Sequence, residues 1–338
     1  MSRIAIIGTT SWGTTLGIVL ARKGLDVLLW ARTSEEARRL STDHENKRLL
    51  PGFSFPDNLR VTDRLSDACA SAEAVIFAVP SKSLRENVRI TGGYLPPHAL
   101  IVSATKGLEV DTAKRMTEVL QEEIAPSHHP YILALSGPNL SREIASGLPA
   151  SSVVAAREES VAAQAQQLLM TPRFRVYTNT DVIGVEMGGA LKNIIALGAG
   201  ISDGLGFGDN AKAAFITRGL AEITRLGVGA GANPLTFAGL ACLGDLIATC
   251  ASPLSRNRYV GQELAKGRRL PDILAGMKHV AEGVDTTVAA CRLARDLDTE
   301  MPISEMTYRV LFKGVDPRQA ALDLMGRAPR PEWADTVR

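Results

Sequence analysis

The stretch VEMGGALKNIIALGAGISDGLGFGDNAKA (185–213) holds a charge where its neighbours least favour one. Lys192 and Asn193 stand inside an otherwise apolar, small-residue helix pattern. An ammonium with apolar neighbours on both sides needs a partner or a task. One task is to stabilise, then protonate, an oxygen that gains charge during a reaction. The alternative is that Lys192 carries its charge to the surface on an extended stem. Gly188 and Gly189 weaken a helix, which points to close approach of another segment. Further on, LACLGDLIATCASPLSRNRYVG (240–261) places Asp245 after a glycine and Ser255-Arg256-Asn257-Arg258 after a proline. Ser255 reads as a helix cap, with Arg256 and the first-turn N–H groups directed at a phosphate. Taken alone, that run reads as a solvated basic turn; opposite a nucleotide domain and a buried lysine it becomes a candidate grip for a phosphorylated substrate. HVAEGVDTT (279–287) reads as a loop entering a helix, where Glu282 orients a group the spacing does not name.

A second kind of chemistry starts at IAIIGTTSWG (4–13), a buried strand running into a turn and then a helix. Gly8 would make the tight turn and Gly13 would let helix and strand pack closely, while the helix N-terminus offers N–H groups and a favourable dipole to a pyrophosphate. Thr10 stands where the dinucleotide fingerprint has its middle glycine. Its bulk costs some backbone approach, but its hydroxyl, with that of Ser11, is placed to donate to a phosphate. The second strand ends at Trp30-Ala31-Arg32 with no acid to bind two ribose hydroxyls. Arg32 suits a 2′-phosphate instead, which tilts the cofactor from NAD toward NADP. Stacking of Arg32 on adenine would allow either.

In an open α/β sheet the ligand lies beyond the carboxyl ends of the strands. Three such ends are unusually polar: AVPSKS (78–83), SATKGLE (103–109) and LSGPNLSREIA (135–145). Lys106 and the Gly137-Pro138-Asn139 turn fall where a nicotinamide and its substrate would meet.

The elements that must position these residues follow from the patterning. Strands are expected at 3–8, 27–30, 74–79, 100–103, 131–135, 152–155 and 175–177, and a helix at 13–23 closed by Gly24. Buried runs separated by helical segments mean βαβ units and a mostly parallel, doubly wound sheet of Rossmann type. From Asp181 strand-like runs vanish and Ala/Leu/Gly-rich helical stretches take over. Residues 1–180 thus read as a dinucleotide-binding domain, 181–325 as an all-helical substrate and dimerisation domain, and 326–338 as a Pro-rich, charged, poorly ordered tail. The charged stretch 34–49 reads as a solvated helix and loop.

A chain of 338 residues suits two domains. A net charge of +2 without a basic run argues against nucleic acid. The apolar stretch 182–201 is interrupted by Glu186, Lys192 and Asn193, which argues against a membrane span. The start MSRIAIIG leaves no room for a signal peptide, and Cys69, Cys242, Cys250 and Cys291 form no CxxC pair, so free thiols in a reducing cytoplasm are expected. The histidines show no metal spacing, and His128-His129 reads as surface loop.

On the Gly8 turn, LWAR (29–32), NKRLLPG (46–52), FPDNL (55–59), ATKGLE, SGPNLSREIA, GGALKNIIALGAGISDGLGFGDNAKAA, GLACLGDLIATC, SRNR and VAEGV, residues 3–325 resemble the bacterial-type NAD(P)-dependent sn-glycerol-3-phosphate dehydrogenases. The resemblance implies interconversion of dihydroxyacetone phosphate and sn-glycerol 3-phosphate, feeding glycerophospholipid synthesis, by a cytoplasmic homodimer. It implies Lys192 as general acid/base on the C2 oxygen, with Lys106 beside the substrate. It implies Gly137, Asn139, Asp245, Ser255, Arg256 and Asn257 around the substrate, Arg256 next to its phosphate. It implies cofactor contacts from Ser11, Trp12, Arg32, Lys106, Ser141, Arg256, Val280 and Glu282, and no metal. Three residues depart from the family pattern: Thr10 for glycine, Asn139 where serine is common, Ser141 where alanine is common. Two rival readings are a related β-hydroxyacid dehydrogenase, which would want a carboxylate grip rather than SRNR, and a catalytically silent NAD(P)-binding regulator, against which Lys192, Asp245 and Arg256 argue.

Overall fold

The computed structural model describes residues 2–329, 331 and 332, so most of the tail reading (330 and 333–338) lies outside the described residues. Two compact units form: residues 1–106 with 116–182, and residues 107–115 with the chain from 183 onward.

The first unit is an eight-stranded sheet in the order β3-β2-β1-β4-β5-β6-β7-β8. The strands are β1 (Arg3–Ile7), β2 (Asp26–Trp30), β3 (Leu59–Thr62), β4 (Ala74–Phe77), β5 (Leu100–Ser103), β6 (Ile132–Ser136), β7 (Ala150–Ala155) and β8 (Phe174–Asn179). All neighbours pair in parallel except β6 with β7. Its helices are α1 (Ser11–Arg22), α2 (Ser34–Asp43), α3 (Leu65–Cys69), α4 (Ser81–Thr91), α5 (Met116–Glu123), α6 (Ser141–Ala145) and α7 (Glu159–Leu169). Strands β4, β5 and β6 are buried along their whole length, as unalternating apolar runs covered on both faces must be. One core layer gathers Ile4, Ile6, Leu16, Ile76 and Leu133, and the other gathers Ala5, Ile7, Phe77, Leu84 and Ile101. The strand order reverses between β1 and β4, and the turn after Ile7 opens at that switch point. Strand β3 escapes the sequence reading because in LRVT only Leu59 is buried, the mark of an edge strand.

Apart from residues 107–115, where Leu108 and Arg115 form an isolated antiparallel bridge, the second unit is built of helices: α8 (Val182–Leu205), α9 (Gly208–Gly229), α10 (Asp245–Ala251), α11 (Arg256–Ala265), α12 (Leu270–Ala275), α13 (Glu282–Asp296), α14 (Pro302–Lys313) and α15 (Pro317–Met325). Helix α8 is long and apolar enough to cross a membrane by length and composition, but it lies buried as the spine of this unit. Residues 107–115 belong here rather than with the strands that flank them in sequence. Leu108 and Ala113 enter the core around Leu191 and Ile195, Arg115 pairs with Glu186 at 2.7 Å, and Arg292 donates to the Asp111 carbonyl. A boundary drawn from composition alone passes over such a nine-residue excursion.

Glu222 of α9, only 2% exposed, accepts the N–H groups of Ile303 and Ser304 and the Ser304 hydroxyl, and so caps α14. Burial raises its pKa from 4.5 to about 7, although these donors and Arg225 pull the other way. The folded carboxyl is harder to ionise than the unfolded one. Its contribution is therefore complete below about pH 4.5 and fades as pH rises through about 7, a span of about 3 kcal/mol. Glu222→Gln should remove that slope: in denaturant titrations, the stability of wild type relative to the variant falls by this order between pH 4.5 and pH 8. A difference that is flat with pH would contradict the assignment.

Candidate active site

In the first unit the turn after β1 is built for close approach. Gly8 has φ +114°, and a Cβ at Gly13 would lie 2.2 Å from the Gly8 carbonyl oxygen. Thr10 is the N-cap of α1: its Oγ1 accepts the Gly13 N–H at 3.0 Å and donates to the Ala78 carbonyl at 2.6 Å. This corrects the expectation that the Thr10 hydroxyl donates to a phosphate, because its single proton is already committed. The side chain instead ties the end of β1 to the end of β4. Asn46, from the stretch expected to be solvated, is buried and reinforces the turn, donating to the Thr9 carbonyl at 2.8 Å and to the Thr14 hydroxyl at 2.9 Å. Its signal in the sequence was an amide standing just before the apolar pair Leu49-Leu50.

Ser11 and Trp12 form the first turn of α1, whose N–H groups point out of the helix start. The Trp12 ring meets Phe174 edge-on at 6.3 Å, and its buried Nε1 has no hydrogen-bond partner among the described residues. A glycine-walled cradle, a helix start and an unsatisfied indole N–H fit a dinucleotide. Thr10→Val should remove both hydroxyl bonds, costing about 1–2 kcal/mol of stability and weakening cofactor binding, while Thr10→Ser keeps both. Thermal denaturation with fluorescence titration of the reduced cofactor checks this; equal behaviour of the two variants would dismiss the role.

Arg32 follows β2, with its Nη2 3.1 Å from Glu86 Oε2 and 3.4 Å from Asn87 Oδ1. Lys106, after β5, donates to the Gly137 carbonyl at 2.6 Å, so the ends of β5 and β6 converge through two of the expected residues. Asn139 donates to Ser152 Oγ at 3.2 Å, and its buried Oδ1 has no partner among the described residues. Ser141 opens α6, and its carbonyl accepts from Thr15 Oγ1 at 3.3 Å.

In the second unit Lys192 is 5% exposed and Asp245 3% exposed, which excludes the surface-lysine alternative. Lys192 Nζ lies 3.0 Å from Asp245 Oδ1 and donates to Thr249 Oγ1 at 2.5 Å. Thr249 in turn donates to Asp245 Oδ1 at 3.2 Å. A buried ion pair is tolerable only when such hydrogen bonds complete it. Thr249 was not among the expected site residues. Its signal was the four-residue spacing from Asp245, which sets both on one face of α10. A single π-helical turn, Leu240–Gly244, precedes Asp245 and redirects the chain into α10, an irregularity frequent at functional sites.

Beside this cluster, helices α8 and α11 touch backbone to backbone. A Cβ at Gly261 would lie 2.0 Å from the Leu197 carbonyl oxygen, and one at Gly200 2.1 Å from that of Arg258. That closeness sets Asn257 Nδ2 2.8 Å from Asn193 Oδ1, and Asn257 Oδ1 accepts the Gly283 N–H at 3.0 Å. Ser255 caps α11 by accepting the Arg258 N–H at 3.2 Å, as its sequence context implies. Arg256, the first residue of α11, makes no hydrogen bond or ion pair among the described residues and keeps solvent contact. Protein crowding around the guanidinium lowers its pKa, opposed by the charge of Glu282. Glu282 is the first residue of α13, and half-buried Val280 lies on the loop before it. Lys192, Asn193, Asp245, Ser255, Arg256, Asn257 and Glu282 are thereby brought together within one unit. Among the described residues no group of His, Cys, Asp and Glu forms a metal cluster. The Cys242 thiol, walled in by Gly188, is pushed up by burial beyond any physiological titration.

Comparison with known proteins gives the family of the chain. Residues 3–162 match the family model for the N-terminus of NAD-dependent glycerol-3-phosphate dehydrogenase, and residues 181–322 match the model for its C-terminus. A glycerol-3-phosphate dehydrogenase [NAD(P)+] of Dehalococcoides mccartyi is 55% identical over 99% of this chain and 93% of its own length. One from Citrifermentans bemidjiense is 48% identical over 98% of each. The crystal structure of glycerol-3-phosphate dehydrogenase from Coxiella burnetii superposes with a TM-score of 0.92 at 36% identity, covering 96% of this chain and 99% of that one. On its two-part match from β1 into α15, and on the lysine, aspartate and arginine its helical unit assembles, the chain belongs to the NAD-dependent glycerol-3-phosphate dehydrogenase family.

Proposed function

We propose that this protein interconverts dihydroxyacetone phosphate and sn-glycerol 3-phosphate, with NADP or NAD as hydride carrier, in the cytoplasm and as a homodimer, as a supplier of glycerophospholipid synthesis. The observation that carries the reading is the buried Lys192–Asp245–Thr249 cluster next to a helix that opens on Ser255-Arg256-Asn257. The bound cofactor supplies or accepts the hydride at C2 of the substrate. Asp245 and Thr249 hold the Lys192 ammonium in place. Lys192 stabilises the negative charge that grows on the C2 oxygen and delivers the proton that balances it; in the reverse direction it takes that proton back. Arg256 and the first-turn N–H groups of α11 grip the remote phosphate, and that binding energy fixes the carbonyl in register. Asn257, anchored by Asn193 and Gly283, shapes the same wall.

For the first unit we assign Gly8, Thr10, Ser11, Trp12 and Gly13 to the pyrophosphate turn and Arg32 to the adenosine end. Lys106, Gly137, Asn139 and Ser141 are assigned to the nicotinamide end and the substrate; within the helical unit, Arg256, Val280 and Glu282 are assigned to the cofactor.

The test is loss of reduced-nicotinamide absorbance on adding dihydroxyacetone phosphate, with NADH and NADPH run in parallel and a β-keto acid as control. Oxidation that requires the phosphorylated ketone supports the reading. Turnover of the keto acid alone, or cofactor binding with no turnover of either, would reject it.

A further inference from the structure

The end of β2 holds a contest over one cation. In the segment 31–37, ARTSEEA, Arg32 is the only positive charge. Its neighbours in sequence are already engaged: Thr33 Oγ1 accepts the Glu36 N–H at 3.2 Å, and Ser34 donates to Asp63. Neither of them adds a positive charge that could meet a phosphate. Arg32 itself reaches sideways to α4, where Glu86 and Asn87 both bond the same nitrogen, Nη2. Asn87 is buried and held by its own bond to the Ser83 carbonyl at 2.6 Å, so it is a fixed acceptor. Glu86 is exposed and free to leave. Glu36 accepts from the Thr9 hydroxyl at 2.8 Å and lies 3.8 Å from Arg39, and Asp63 accepts from Ser34, so it is Glu86 alone among these carboxylates that bonds Arg32.

We propose that Glu86 is a specificity residue for the cofactor: by occupying the Arg32 guanidinium it penalises a 2′-phosphate and keeps NADPH from being preferred as strongly as Arg32 alone would dictate. The inference rests on the proposed function, since it concerns the cofactor of that reaction. A 2′-phosphate carries up to two negative charges and three acceptor oxygens, and it must displace the Glu86 carboxylate to bond Arg32 bidentately. NADH brings two hydroxyls there and has no such competition. Exposed pairs of this kind are weak and screened by salt, so the penalty is modest and largest at low ionic strength.

The experiment is fluorescence titration of NADPH and NADH against wild type, Glu86→Gln, Arg32→Ala and the double variant, at low and high salt. Glu86→Gln should tighten NADPH about three- to fivefold at low salt, move NADH far less, and lose most of the gain at high salt. In the Arg32→Ala background the same change should do nothing. Three results would overturn the inference: tightening of both cofactors alike, weakening of NADPH (Glu86 would then orient Arg32), or an equal gain without Arg32. Failure of the wild type to bind either cofactor would instead overturn the proposed function. Glu86 is exposed, and unchanged thermal denaturation of the variant confirms that it folds.

Discussion

Lys192→Ala is expected to lower kcat by about a thousandfold while cofactor affinity stays within about twofold of wild type. The alkoxide forming at C2 would lose both its electrostatic partner and its proton donor, whereas the residues assigned to the cofactor do not include Lys192. The substitution also takes from buried Asp245 the cation it pairs with, and removing one member of a buried pair destabilises by about 3–5 kcal/mol. Activity loss must therefore be separated from unfolding. Lys192→Met fills the space with a neutral stem, and Lys192→Met with Asp245→Asn removes the stranded charge as well. Both should be folded, bind the reduced cofactor by fluorescence, and be as slow as the alanine variant. A folded Lys192 variant that retains more than about a tenth of wild-type kcat would remove Lys192 from the chemistry.

The second large effect concerns Arg256. Arg256→Ala should reduce kcat/KM for dihydroxyacetone phosphate by about 10- to 100-fold, the worth of one charge-assisted contact to a phosphate. The same variant, assayed at saturating cofactor, should slow the reduction of unphosphorylated dihydroxyacetone far less, the remaining loss reporting the cofactor contact also assigned to Arg256. This contrast is what distinguishes a phosphate grip from a structural role. Arg256 makes no hydrogen bond or ion pair among the described residues, so its removal strands no partner, although Glu282 loses a nearby positive charge. Arg256→Lys keeps the charge but not the fork, and should recover part of the loss. If both ketones lose rate equally, Arg256 shapes the site rather than binding phosphate.

Much of this was legible because it is local. Strands β4, β5 and β6 are apolar runs that can only be buried on both faces, and their alternation with helical segments gives the mostly parallel sheet; the strand order, with its reversal between β1 and β4, came from the structure. The Gly8–Gly13 turn, the Ser255 cap and the unusual lysine at 192 are each carried by a few adjacent residues. What escaped was whatever depends on a partner far along the chain. Strand β3 has a single buried residue and exists because β2 offers it an edge. Asn46 reads as part of a solvated loop until Thr9 and Thr14 receive its amide. Thr10 has the same hydroxyl whether it faces a phosphate or the Ala78 carbonyl, and only the closeness of β1 and β4 settles its proton on Ala78.

The sequence by itself determined the layers, the nucleotide turn and the presence of an ammonium among apolar neighbours, since periodicity, turn chemistry and the cost of burying charge act over a few residues. The tertiary structure alone decided that Lys192 meets Asp245 and Thr249, that residues 107–115 fold with the helices, and that Arg32 is shared with Glu86. Those outcomes depend on the packing of segments tens of residues apart, as when Gly200 and Gly261 let two helices touch, and no local pattern encodes such a distance.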